Sequence, residues 1–130
     1  MLRVLALGAG LVVIPAVASA QQPCTTSDAR HVVNLIYSQV LERPADRGSD
    51  AHVRRLTNGT ATVRDVVAAV AKSSEHVERY LSGGNPEAAV RALYVHILGR
   101  EPDAPGLTSN MEALQNQGAG AVIDFMLSSP

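Results

Sequence analysis

The sequence predicts an all-α protein: a compact bundle of about six or seven short helices built from two diverged copies of one helical unit. Three observations predict it. First, one apolar pattern occurs twice, as Val33, Ile36, Tyr37, Val40 and Leu41, then as Val90, Leu93, Tyr94, Ile97 and Leu98. Each set has the i, i+3, i+4, i+7, i+8 spacing of a single helix face. Second, these five pairs share a constant offset of 57 residues with Arg43/Arg100 and Asp46/Asp103, a register that marks an internal repeat. Third, no stretch alternates with period two for long enough to argue for a sheet; Leu11–Ile14, the best strand composition, falls in the N-terminal segment.

Each copy continues past its apolar stripe in the same way. An arginine, Arg43 or Arg100, follows the helix C-terminus, where the macrodipole favours a cation by roughly 0.3–1 kcal/mol. Pro44 and Pro102 prevent the helix from continuing. Gly99 is suited to a left-handed closing residue in the second copy. Asp46 and Asp103 stand where the next helix needs a cap, and each is three residues from its arginine. The unit therefore reads as core helix, stop, charged corner, next helix. Arg43, Asp46, Arg100 and Asp103 serve either as corner chemistry or as a partner-binding surface; none is placed for catalysis.

Residues 1–20 read as a secretory signal. Arg3 gives a positive start, Val4 to Val17 is apolar, and Ala18-Ser19-Ala20 fits a small-x-small cleavage site before Gln21. Sec export to the periplasm or exterior is expected, with an uncleaved anchor as the alternative. No stable membrane insertion is expected after cleavage. Cleavage leaves 110 of the 130 residues, enough for one modest domain (28–130) behind a loose tail, 21–27. It removes one arginine and no acid, so the formal charge goes from −1 to −2. That balance gives no electrostatic case for nucleic acid or an anionic membrane. With no Trp and one Phe, the chain also lacks a stacking platform for bases. Cys24 is the only cysteine, so an intramolecular disulfide is impossible. It is either a free thiol in the tail or one half of an intermolecular bridge.

Taken in order, Thr26 or Ser27 caps a first helix over about 28–41. A short helix over 49–57 buries Val53 and Leu56 and ends at Asn58-Gly59. Thr62 and Asp65 form a capping-box variant opening a third helix, which buries Val63, Val66, Val67 and Val70. Ser73 and Ser74 break and re-cap the chain before a fourth helix over 75–81, closing repeat 1 (about 28–81). After Gly83 and Gly84, Asn85 caps and Pro86 takes the first position of a fifth helix, 86–98, which opens repeat 2 (about 86–130). A sixth helix covers 105–116, with Leu107, Met111 and Leu114 inward. Gly118 to Gly120 form a hinge. A last helix over 121–127 presents Val122, Ile123 and Met126, with Phe125 alongside. Neither copy holds enough apolar partners to be stable alone, so both are expected to share one core.

These residues resemble a known family. The helix with Tyr37, Leu41 and Arg43, and the run from Val63 through Ser73 and Glu75 to Tyr80, look like the phycobilisome linker domain. The stretch with Leu98, Arg100, Asp103, Gly106 and Ser128 is similar to its relative, a bacterial secreted domain of unknown function. The resemblance implies a small helical protein–protein interaction module with no catalytic residues to carry over. The chain differs from that pattern in its export signal, its slight acidity, and His76, which stands where an aromatic residue commonly follows the Ser-Glu pair.

Among reaction chemistries, the strongest metal candidate is Asp46 with Asp50 around Gly48, oxygen ligands suited to Ca²⁺. It lacks the remaining ligands of an EF-hand, and turn chemistry accounts for it as well. His31, His52, His76 and His96 fall on four different helices with no i, i+4 pairing, and are expected to be surface or half-buried rather than zinc ligands. No cofactor and no catalytic constellation is expected. The function read from the sequence is an exported, non-catalytic module that binds another protein or itself. The alternative is a Ca²⁺- or ligand-binding envelope protein using the Asp46–Asp50 loop. Interaction candidates are Arg43, Asp46, Arg100, Asp103, Phe125 and Met126. Val122, Ile123, Phe125 and Met126 would form a docking face if the last helix lies uncovered.

Overall fold

The computed structural model describes residues 24–129, and the expectations for the signal and for residues 21–23 lie outside them. The described residues form seven helices and no strand. They are α1 (Thr26–Val40), α2 (Asp50–Thr57), α3 (Val63–Ala71), α4 (74–81), α5 (86–98), α6 (Ala104–Gln117) and α7 (Ala119–Ser128). A 3-10 turn, Arg47–Ser49, leads into α2. Both α4 and α5 widen midway: Val77–Leu81 and Tyr94–Leu98 are π-helical turns.

Local chemistry accounts for the boundaries. The cap of α1 is Thr25, one residue before the expected position, because its hydroxyl accepts from the Asp28 N–H while also donating to the Asp28 carboxylate. Thr62 and Asp65 complete a reciprocal capping box on α3. Asn85 caps α5 with Pro86 in its first turn. Asp46 accepts from the Gly48 N–H and Asp103 from the Gly106 N–H, so both corner aspartates open the next element. Gly118 alone separates α6 from α7, at φ 89°, and Gly120 lies inside α7. The expected hinge is thus a single left-handed residue, whose N–H closes α6 onto the Leu114 carbonyl.

One apolar core joins both copies: Val33, Ile36 and Val40 of α1 meet Val66 and Val70 of α3, Val90 and Leu93 of α5, and Val122 and Ile123 of α7. Within each copy, the stripe helix packs on the helix after its corner, α1 on α2 and α5 on α6. Between copies, helices meet their own counterparts: α1 meets α5 and α3 meets α7. Gln39 Nε2 even donates to the backbone carbonyl of its repeat equivalent, His96, at 2.9 Å. Like meeting like is the signature of an approximate two-fold relation. α4 stands outside the paired set and packs on α5.

Candidate interaction site

The two corners are built alike. Tyr37 and Tyr94 sit in the middle of the apolar stripes, and the guanidinium that follows each stripe stacks back over the ring: Arg43 lies 5.3 Å from the Tyr37 centroid, Arg100 5.2 Å from that of Tyr94. At the first corner Arg43 is fully engaged. Its Nε and Nη2 donate to the two Glu75 oxygens at 2.7 Å each, and Nη1 pairs with Asp46 at 3.2 Å. This bidentate fork holds the Glu75 carboxyl below its ordinary range and strengthens the protonation of Arg43. At the second corner Arg100 is exposed and donates only to the Glu101 backbone carbonyl, at 3.3 Å. Among the described residues it has no carboxylate partner within ion-pair distance. Asp103 is committed to Gly106, and Tyr94 OH accepts from the buried Asn110 side chain.

α4 seats on the first corner by a buried polar chain that the separate positions of the histidines in the sequence did not reveal. Contrary to the expectation of surface or half-buried positions, His76 is 0% and His96 3% exposed. The Ala71 carbonyl can only accept, so His76 Nδ1, 2.8 Å away, carries a hydrogen and Nε2 is left to accept from His96 Nδ1 at 2.9 Å. His96 Nε2 lies 3.1 Å from the Glu42 carboxylate. Glu42 also accepts from Tyr80 OH at 3.1 Å. The bonds from His96 and Tyr80 lower the Glu42 carboxyl, while burial beside His96 pushes His76 down to about 4. Arg79 and Tyr80 of α4 both donate to the Leu41 carbonyl.

The remaining candidates separate. Met126 is 3% exposed and, with Val122 and Ile123, belongs to the core. The uncovered last-helix face therefore reduces to Phe125, which is 65% exposed. α3 packs on α7, and Lys72 reaches Asp124 at 2.6 Å, which is why that face is closed. Asp46 and Asp50 border one open pocket but are separately engaged: one serves Gly48 and Arg43, the other pairs with Arg30 at 3.2 Å. No group of three or more metal-ligating side chains is gathered among the described residues. Cys24 is an exposed thiol. A shallow apolar groove of about 220 Å³ runs between α1, α3 and α5, past Leu35, Ile36, Gln39, Val63 and Ile97.

Comparison with known proteins places this arrangement. The phycobilisome linker polypeptide family matches over residues 24–130. A phycocyanin-associated rod linker polypeptide of 39 kDa from Microchaete diplosiphon is 34% identical over 109 residues, covering 81% of this chain and 38% of the relative. A 32.3 kDa rod linker from Picosynechococcus is 32% identical over 78% of this chain and 37% of the relative. The phycobiliprotein ApcE of Microchaete diplosiphon is 29% identical over 79% of this chain and 10% of its own length. The chain thus spans little more than a third of the rod linkers it matches. The match takes in both corners, the α4 seat and the shared core, and the chain belongs to the phycobilisome linker polypeptide family.

Proposed function

We propose that this chain is an exported, non-catalytic helical module whose role is to bind another protein. The family match over residues 24–130 carries the reading. It is supported by polar clusters that are consumed in seating helices. The export half rests on residues 1–20 alone, a charged start, an apolar run and a small-x-small site. Fractionating the producing cell and sequencing the protein's N-terminus tests it: envelope material beginning at Gln21 is expected, and full-length cytoplasmic protein would sink it. For the binding half, light scattering of the full chain over a concentration series detects self-association. Photo-crosslinkers at exposed positions detect a partner inside the cell. A monomer that forms no adduct at any position would end the reading.

A second reading is favoured by the names of the relatives, several of which are phycocyanin-associated. On it, the partner is a phycocyanin-type assembly. Cosedimentation of the full chain with purified phycocyanin separates the two, since only the second expects a saturable complex.

A further inference from the structure

Arg43 and Arg100 hold equivalent places and stack equally on Tyr37 and Tyr94, yet only Arg43 grips a carboxylate. That carboxylate, Glu75, belongs to the first turns of α4. α4 lies across the end of α1 through the Leu41 carbonyl, sets His76 and Tyr80 against His96, and packs along the Pro86–Leu93 part of α5. The approximate two-fold relation maps this seat onto the other copy. Arg100 replaces Arg43, and Ile97 and Leu98 replace Val40 and Leu41. Gln39, Ile36 and Leu35 replace His96, Leu93 and Ala92.

Of these, Leu35, Ile36, Gln39 and Ile97 line one apolar groove together with Val63 and Val67 of α3, and among the described residues no helix lies in it. Leu35 is 56% exposed there, and Leu98 is half-buried where its counterpart Leu41 is buried. An exposed leucine on an apolar groove, with Arg100 three residues beyond Ile97 and, among the described residues, without a carboxylate, suits a partner of helix-in-groove type.

We propose that this groove, with Arg100 three residues beyond its Ile97 wall, receives a short helix of a partner protein whose first turn carries a carboxylate, as α4 is received on the first copy. The occupant is a partner rather than a second copy of this chain, because α4, the segment with that chemistry, is already held by Arg43 and His96. The inference rests on the protein-binding reading and gives it a surface and a partner chemistry.

The test uses the ¹⁵N-labelled full chain and a synthetic peptide of residues 73–82, read by NMR at millimolar peptide because so short a helix is only marginally formed when free. Saturable shifts are expected at Leu35, Gln39, Ile97 and the Arg100 side chain. Arg100→Gln in the protein, or Glu75→Gln in the peptide, should weaken binding about tenfold through loss of the charge-assisted bonds. Leu35→Asp, on an exposed position, should abolish it without unfolding the chain. Absence of shifts, shifts indifferent to Arg100→Gln, or shifts centred on His96 and Leu41 from displacement of α4 would each overturn the proposal. Cellular adducts that map away from Leu35, with no peptide binding, would overturn this inference and leave the binding reading intact; the absence of any cellular adduct would overturn both.

Discussion

Position 42 and its repeat equivalent 99 solve one problem with two residues. Both close a stripe helix in the left-handed region, Gly99 at φ 69° without cost and Glu42 at φ 56° with a Cβ to accommodate. Glu42 persists there because its carboxylate serves His96 and Tyr80. Replacing Glu42 by Ala keeps the strain and removes the bonds, whereas Gly removes both. Glu42→Gly should therefore be more stable than Glu42→Ala by about 1 kcal/mol in urea unfolding; equal stabilities would refute a left-handed corner. His76 gives the pH prediction. Burial beside His96 holds its ring near 4, against about 6.5 in an unfolded chain. Between those values the unfolded state binds more protons, so the stability linked to His76 is complete above pH 6.5 and is lost as pH falls toward 4. The loss amounts to roughly 3 kcal/mol. The groups facing the ring are His96, Tyr80 and, through His96, Glu42. The lowered carboxyls of Glu42, Asp65 and Glu75 contribute their own loss lower still, as pH falls through the carboxylate range. His76→Gln, which can still donate and accept, should flatten the unfolding profile above about pH 5. An unchanged slope there would place the titration elsewhere.

At the scale of elements, helix identity and most boundaries were legible because caps act locally. Thr62 with Asp65 and Asn85 with Pro86 are read from four or fewer adjacent residues, and both operate as read. The π-helical turns were not legible. Val77–Leu81 and Tyr94–Leu98 have ordinary helical composition, and their widening accompanies the seating of His76, Tyr80 and His96 against one another, a tertiary event. Burial of His76 and His96 is not legible for the same reason: each is ordinary in its own helix, and only the packing of α4 on α5 brings a nitrogen of each ring within 2.9 Å of the other. Gly106 is a further case of a demand set by a distant residue. It lies in the first turn of α6, where glycine is a poor helix former, yet a Cβ there would meet Tyr94 OH at 2.5 Å and Asp103 Oδ1 at 2.7 Å. Gly106→Ala should thus destabilise by about 1–3 kcal/mol despite its better propensity. A gain in melting temperature would show that Tyr94 can yield.

For the molecule as a whole, the repeat register of 57 fixed the plan in the sequence: equivalent helices pair across an approximate two-fold and share one core. What the register conceals is where the copies part company. Arg43 and Arg100 hold the same place in the repeat register, and both are candidates for an interaction surface. The structure gives one of them to the interior organisation of the chain, because α4 brings Glu75 to Arg43, and leaves the other at the surface. Arg43 is only partly exposed, so its bidentate pair is less screened than a surface bridge, and its loss also strips the cation from the Tyr37 face. Arg43→Ala should cost about 1–2 kcal/mol and loosen α4 first, visible as faster hydrogen exchange across Val77–Leu81 than across Val66 and Val70. Arg100→Ala removes a stacked but otherwise lightly engaged side chain, and its cost should stay within about 0.5 kcal/mol. The comparison is internal, since residue type and ring partner are matched, while the carboxylates of Glu75 and Asp46 are engaged only at the first corner. Equal costs at the two corners would mean that the Glu75 fork contributes nothing to seating α4; a larger cost at Arg100 would mean that the second corner already holds a carboxylate in solution.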